Sequence, residues 1–468
     1  MMNILINKRI KENYQDHSLP PVSKLIKSMG KVSFPAAIET FLICLIGLLD
    51  TIMVSGVGTN ALAGVTISQQ PVMIALVVAM GINAGVTAIV ARRYGEGDQE
   101  GAKRVIRQAL VMGLISSLVL MTLFMVIAEP FLIITGAKEE TLGISTRYLR
   151  IVLISLPFNY IRLIICAAFR ASGNTKVSLI SNVSANLVNL FLNYCLIMGN
   201  LGFPRLEADG AAIATSIGNF AAFIITVSIF RFKKSFIQTK FKDDWRLDKK
   251  TTKNILTVSS NASVEQLFMR LGFYILAVMI NNLGTEAVAI NAIVQGTISL
   301  AFSVTDGFAI GASALVGRSL GEKNVPLAFA YGRLSQITSF ILGSVMITLI
   351  IIFRHEVVSM FASEEDKSSI YVMEQAASVL IIAVFAIVPQ SLQWVTTNCL
   401  RGAGDVKFTA KTAVFSVAFV RPLFTFICCY ILTFGVLGAW IGTFIDQAIR
   451  LTINNNRFIK LKWANIKV

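Results

Sequence analysis

Twelve apolar runs, each long enough to cross a bilayer, follow one another along almost the whole of this 468-residue chain. A crossing takes about 20 apolar residues, because the hydrocarbon layer is ~30 Å thick and a helix rises ~1.5 Å per residue. Inside lipid every backbone N–H and C=O must be satisfied within its own element, so runs of this length are helices. Only 15% of the residues are charged, where a soluble domain carries about 25%. A globule surrounded by water is excluded, and the expected fold class is an all-α polytopic membrane protein with twelve transmembrane helices.

With glycine, proline and charge clusters as boundaries, the spans fall at about 33–57, 61–92, 105–128, 146–171, 176–199, 210–232, 254–281, 286–318, 327–353, 370–400, 406–432 and 436–455. The charge balance, Lys+Arg 42 against Asp+Glu 26, would suggest nucleic acid in a soluble protein. Here the even-numbered connections with their flanks and the two ends hold 33 of the 42 basic residues, the odd-numbered connections and their flanks hold six, and Arg162, Arg270 and Arg421 lie deeper inside spans. That asymmetry is the positive-inside pattern. It predicts a multi-pass protein of the cytoplasmic (plasma) membrane with both termini in the cytosol and no nucleic-acid partner.

The first thirty residues mix Lys8, Arg9, Lys11, Asp16, Pro20 and Pro21 with no unbroken apolar stretch, so no cleavable signal peptide is expected. All six cysteines lie within apolar runs and read as packing residues. His17 and His355 lie outside the spans, and no His or Cys cluster has metal-ligand spacing. With no nucleophile-base constellation either, neither an enzyme nor a cofactor is expected. The turns GEGD at Gly95, RASGN at Arg170 and RGAGD at Arg401 lack the strand-turn-helix context of a phosphate loop and read as tight cytosolic turns flanked by arginines.

The chain also repeats itself. A shift of 226 residues brings Glu39 onto Glu265, Gly58-Thr59 onto Gly284-Thr285, Gln69 onto Gln295 and Gly95-Glu96 onto Gly321-Glu322. FRASGNTK from Phe169 matches LRGAGDVK from Leu400 at an offset of 231, and GAAIAT at Gly210 matches GAWIGT at Gly438 at 228. Two pseudo-symmetric six-helix lobes follow: 1–32 a cytosolic amino-terminal segment, 33–232 the first lobe, 233–253 a basic cytosolic linker, 254–455 the second lobe, and 456–468 a cytosolic tail. Six is even, so both copies enter from the same side and their axis lies along the membrane normal. Transporters built this way place substrate between the halves and rock one against the other.

The segment SFPAAIETFLICLIGLLDTIMVSGVGTNALAGV, the ARRYGEGD loop, FRASGNTK followed by NLVNLFLNYCLIMG, GAAIATSIGN and LRGAGDVK together resemble the MATE (multidrug and toxin extrusion) transporters, from about Ser33 to Arg450. The resemblance implies a V-shaped pair of lobes and a secondary antiporter. Such a protein exports small organic, often cationic, compounds in exchange for protons or sodium. A lipid-linked precursor flippase of related fold is the alternative, argued against by the intramembrane acids, and a membrane sensor or channel is a third reading. A monomer in the lipid bilayer is expected.

Ionisable groups inside a bilayer are costly and default to functional candidates. Four carboxylates stand out: Glu39 and Asp50 in the first run, Glu265 in the seventh and Asp306 in the eighth. Glu39 and Asp50 are eleven residues apart, which puts them on one helix face about 16 Å apart. Asp50 has no acidic counterpart in the second half, where the offset lands on Leu276, so the fold does not need an acid there. Glu39 and Glu265 are repeat-equivalent near helix starts, where the macrodipole also favours a carboxylate. They either face the inner opening or serve structure, and Asp306 either pairs with an arginine or takes part in transport. Asn182, Asn186, Asn189 and Asn193 share one helix face, for packing or for a polar cavity. Gln69, Gln295 and Gln390 are candidate pathway residues.

The resemblance assigns Asp50, Asn189, Asn193 and Thr215 to the first-lobe cation site, with a proton or a sodium ion at Asp50. Some relatives have an acid where Asn193 stands. Sodium-coupled relatives have an aspartate at the position of Gln390 and a glutamate nearer Met269 than Glu265, so their second-lobe site does not carry over intact.

Overall fold

The computed structural model describes residues 10, 12, 19–239, 243–359 and 367–466, so most of the expected amino-terminal segment, His17 included, lies outside the described residues. Among the described residues eleven helices are long and apolar enough to span a membrane, and a bent pair makes a twelfth. In chain order the spans are α1 (Val22–Ser55), α2 (Thr59–Glu96), α3 (Gln99–Val126), α4 (Glu139–Ile154 with Leu156–Ala171), α5 (Thr175–Leu196), α6 (Glu207–Phe232), α7 (Lys249–Asn281), α8 (Thr285–Gly321), α9 (Val325–Ile352), α10 (Ile370–Gly402), α11 (Val406–Ile431) and α12 (Gly435–Ile459). No strand occurs among the described residues.

The duplication is visible in the turns. Asp98 caps α3 by accepting from the Gly101 N–H at 2.9 Å, and Asn324, 226 residues later, caps α9 by accepting from the Leu327 N–H at 2.9 Å. Each cap satisfies one of the orphan N–H groups at a helix start. The residues just before them share the left-handed backbone region, Gly97 at φ 73° and Lys323 at φ 56°. Glycine enters that region freely, whereas a lysine there costs about 1 kcal/mol. The short helices Ala128–Ile134 and Arg354–Ser359 that follow α3 and α9 start at the same offset.

Two spans depart from straight helices. Sequence length predicts a single run over 146–171, but α4 starts at Glu139 and bends by 49° at Ser155. Pro157 sits in the first turn after the bend, where its missing N–H and fixed φ suit a fresh helix start. In α11, π turns at Ser416–Val420 and Ile427–Ile431 break the α-helical register.

By packing, the chain forms two compact units, Phe41–Ser263 and Met1–Thr40 with Val264–Val468. The repeat starts at 33 and 254, but α1 up to Thr40 belongs with the later residues and α7 up to Ser263 with the earlier ones. In the unit Phe41–Ser263, Ala75, Ala79, Phe124, Leu132, Leu149 and Tyr160 form a core, and the Tyr160 hydroxyl donates to the Ala75 carbonyl at 2.5 Å. The basic connection after α6 is folded onto this unit: Phe236 packs edge-on against Tyr94, the Gln99 amide donates to the Phe236 carbonyl at 3.1 Å, and Arg107 pairs with Asp243 at 3.1 Å. Just before α7, Asp248 accepts from the Thr251 hydroxyl and N–H at 2.7 and 2.8 Å, and these bonds, the side-chain one first, hold its carboxyl below the ordinary range.

In the other unit, Leu25, Met29 and Val32 of α1 pack against Leu315, Ala330 and Leu334, so the helix begins well before residue 33. The described residues after α12, up to 466, pack against the same unit. Trp463 is fully buried and stacks on Phe458, which stacks on Phe329, each pair at 5.2 Å between centroids.

Candidate functional site

Glycines set the position of the first group of polar residues. A Cβ on Gly210 would come within 2.6 Å of the Leu196 carbonyl oxygen, and one on Gly218 within 2.8 Å of the Ala185 carbonyl oxygen and 3.3 Å of Asn189 Cβ. These two glycines let α6 approach the backbone of α5 as small residues do between membrane helices. Thr215, between them on α6, is thereby brought against Asn189 of α5, and α1 contributes Asp50 from the unit Phe41–Ser263.

Asn193 Nδ2 donates to Asp50 Oδ1 at 2.8 Å. The amide of Asn189 lies against both carboxylate oxygens, at 2.9 and 3.1 Å, and against the Thr215 hydroxyl at 3.2 Å. With its nitrogen toward Asp50, Asn189 donates to both oxygens, and its own oxygen accepts from the Thr215 hydroxyl and N–H at 3.2 Å. With its oxygen toward Asp50, it can accept from a protonated carboxyl while its nitrogen donates to Thr215. An ionised carboxylate only accepts, so the first arrangement suits the charged form and the second the neutral one. The Tyr148 hydroxyl, bonded to Thr215, completes the group. Asp50 is half-buried, and among the described residues it takes part in no ion pair.

The unit that holds Val264–Val468 treats its acids differently. Glu265 is 2% exposed and meets Arg401 Nη2 at 2.9 Å and Nε at 3.3 Å, with the Thr409 hydroxyl donating to the same carboxylate at 3.1 Å. Arg401, which the sequence reads as a loop arginine facing the cytosol, is turned inward and buried. The correction has a physical reason: a buried carboxylate on α7 offers the guanidinium a charge-assisted partner. Asp446, wholly buried on α12, pairs with Arg421 of α11 at 2.6 Å and accepts from Ser416 in the first π turn. Arg450, one turn beyond, lies within electrostatic reach of both acids and both arginines, and its two terminal nitrogens sit 3.1 and 3.2 Å from the sulfur of Met269.

Sequence reasoning passed over Asp446 and noted Arg421 as a basic residue inside a span without a partner assigned to it. The signal was present, since Asp446 and Arg450 interrupt the last apolar run, but a carboxylate and an arginine four apart read as a pair within one helix. The true partner, Arg421, comes from α11. Tyr148 carried no signal in the chain.

The remaining candidates are dispersed. Glu39 is buried at 3%, in the part of α1 that packs with Val264–Val468, whereas Asp50 on the same helix belongs to Phe41–Ser263. Asp306 accepts from the Trp394 indole N–H. Gln295 donates to Ser299 at 3.1 Å, Gln69 is exposed and Gln390 is half-buried. The asparagine face of α5 divides: Asn182 accepts from Arg162 at 2.6 Å, while Asn189 and Asn193 serve Asp50. Among the described residues no group of three or more His, Cys, Asp or Glu side chains could hold a metal ion.

Comparison with known proteins agrees with this architecture. The probable multidrug resistance protein NorM of Thermotoga maritima is 25% identical over 94% of this chain and 94% of its own length. The probable multidrug resistance protein YoeA of Bacillus subtilis is 24% identical over 82% of each chain. A structure described as the outward-facing conformation of a multidrug resistance MATE family transporter of the MOP superfamily superposes with a TM-score of 0.87, at 22% identity, over 95% of this chain and 100% of the other. The family model described as MatE matches residues 35–195 and 262–427, one stretch in each half of the repeat, and the chain therefore belongs to the MatE family of membrane transporters.

Proposed function

We propose that this chain exports small organic, mainly cationic, compounds in exchange for protons or sodium, with Asp50 as the coupling residue. One observation carries the reading. Glu265 and Asp446 are matched by arginines, while Asp50, among the described residues, is met by the amides of Asn189 and Asn193 and forms no ion pair. A carboxylate of the membrane interior without a built-in countercharge is ready to exchange one mobile positive charge for another.

The Asn189 amide supplies a way to sense that exchange. When Asp50 is charged, Asn189 turns its nitrogen to the carboxylate; when a proton neutralises Asp50, the amide inverts and its hydrogen bond to Thr215 changes direction. Asp50 lies on α1, Asn189 on α5 and Thr215 on α6, so the protonation state is passed across three helices. A proton entering down a potential of about 100 mV brings about 2.3 kcal/mol, enough to bias a two-state lobe movement. A sodium ion would instead use the carboxylate and the oxygens of Asn189, Asn193 and Thr215, which are hard ligands of the right kind.

The basic residues near the termini and in the connection after α6 support a reading in which both ends lie in the cytosol. The test is ethidium efflux from proteoliposomes with the proton and sodium gradients imposed separately. Efflux driven by at least one of them is expected, and efflux indifferent to both would overturn the antiport reading.

A further inference from the structure

A cavity of about 330 Å³ opens on the flank of the unit Phe41–Ser263 at the basic ends of its spans. Its walls are apolar side chains of three spans, among them Leu114 of α3, Ile165 of α4 and Phe223 and Phe230 of α6. Three polar or amphipathic residues also line it: Arg231, the last basic residue of α6, and Thr239 and Trp245 of the following connection. The Trp245 indole nitrogen is buried without a hydrogen-bond partner, which leaves an unused N–H donor on a residue of an otherwise apolar slot. Leu114 is 40% exposed, so the slot reaches the face of the bundle that meets lipid.

The described parts of the connection, on either side of 240–242, are held by the Phe236–Tyr94 contact, the Gln99 and Gln238 amides on the backbone of Phe236 and Arg231, and the Arg107–Asp243 pair. The connection adds Lys233 and Lys234, both exposed, soon after Arg231 in the chain. An apolar trough at the membrane surface, lined also by Arg231 and Trp245, with two exposed lysines two and three residues after Arg231 in the chain, has the chemistry of one ligand class. We propose that it binds a single anionic phospholipid, with an acyl chain in the trough, the phosphate within reach of the Trp245 N–H and the negative headgroup against Arg231. The site depends on the membrane-spanning fold alone and stands apart from Asp50, so either reading can fail without the other.

The full chain, purified in detergent and mixed with phosphatidylglycerol and phosphatidylcholine of identical acyl chains, is examined by native mass spectrometry. One phosphatidylglycerol per chain is expected to be retained in preference to phosphatidylcholine. Arg231→Gln should cut that preference about fivefold, the effect of one basic side chain worth ~1 kcal/mol at an anionic surface. Trp245→Phe, which keeps an aromatic side chain of smaller size and removes the N–H, should weaken retention of both lipids at the phosphate without closing the trough. Leu114→Trp, at a lipid-facing position where added bulk is tolerated, should fill the trough and abolish retention of both. Equal retention of the two lipids by the unsubstituted chain, unchanged retention in Leu114→Trp, or full displacement by a free fatty acid of the same length would each overturn the proposal.

Discussion

At the residue scale, the acids of this protein separate by what stands opposite them. Glu265 and Asp446 are held by Arg401 and Arg421 in buried pairs. Removing one partner of such a pair leaves an uncompensated charge and costs about 3–5 kcal/mol, whereas replacing both by apolar residues of similar size is often neutral. Glu265→Gln should therefore lower thermal stability in detergent steeply, and Glu265→Leu combined with Arg401→Met should restore most of it while ethidium efflux persists. Efflux lost in a stable double variant would mean that Glu265 belongs to the transport path after all. Both glutamates were visible in the sequence as repeat-equivalent acids. The arginine opposite Glu265 was not, because counting basic residues in connections says nothing about which way a side chain turns.

At the scale of elements, close helix contacts and left-handed turns position the chemistry. Gly218 brings α6 against α5 and so sets the distance from Thr215 to Asn189. Gly218→Ala should push α6 away from the Ala185 carbonyl, costing about 1–3 kcal/mol as overpacking does, and should reduce gradient-driven efflux more than binding of ethidium. Normal coupling in that variant would show that the α5–α6 spacing is immaterial. Lys323 offers the opposite test, since it holds a left-handed conformation that Gly97 fills at the equivalent turn. Lys323→Gly should raise the unfolding midpoint, reflecting about 1 kcal/mol of relieved backbone strain, with transport unchanged. The repeat in the sequence already marked these turns, because Gly95-Glu96 and Gly321-Glu322 stand just before them at one offset. The bend in α4 was missed, since apolar length is blind to a proline that restarts a helix within a continuous apolar run.

For the whole molecule, the twelve spans and the duplication were legible because lipid imposes length and polarity rules that few soluble folds obey. The exchange of helix segments between the compact units was not. A repeat comparison fixes which residues correspond, and the division of α1 at Thr40 and of α7 at Ser263 depends on packing that leaves the register untouched. The proposed orientation rests on charge, and it is tested by Lys234→Cys, which should react with a membrane-impermeant thiol reagent in inside-out vesicles and stay protected in intact cells. Five of the native cysteines are buried and Cys44 is half-buried in α1, so background labelling should be low. Labelling from outside intact cells would reverse the topology.

The central claim is that Asp50 couples the gradient to export. Asp50→Asn keeps the size and the hydrogen-bonding capacity of the side chain but removes the charge that a proton or sodium ion would neutralise. Reconstituted beside the unsubstituted chain, with insertion and ethidium binding measured in the same preparation, it should bind cargo and give no efflux under either a proton or a sodium gradient. Normal gradient-driven efflux by Asp50→Asn under both conditions would contradict the account.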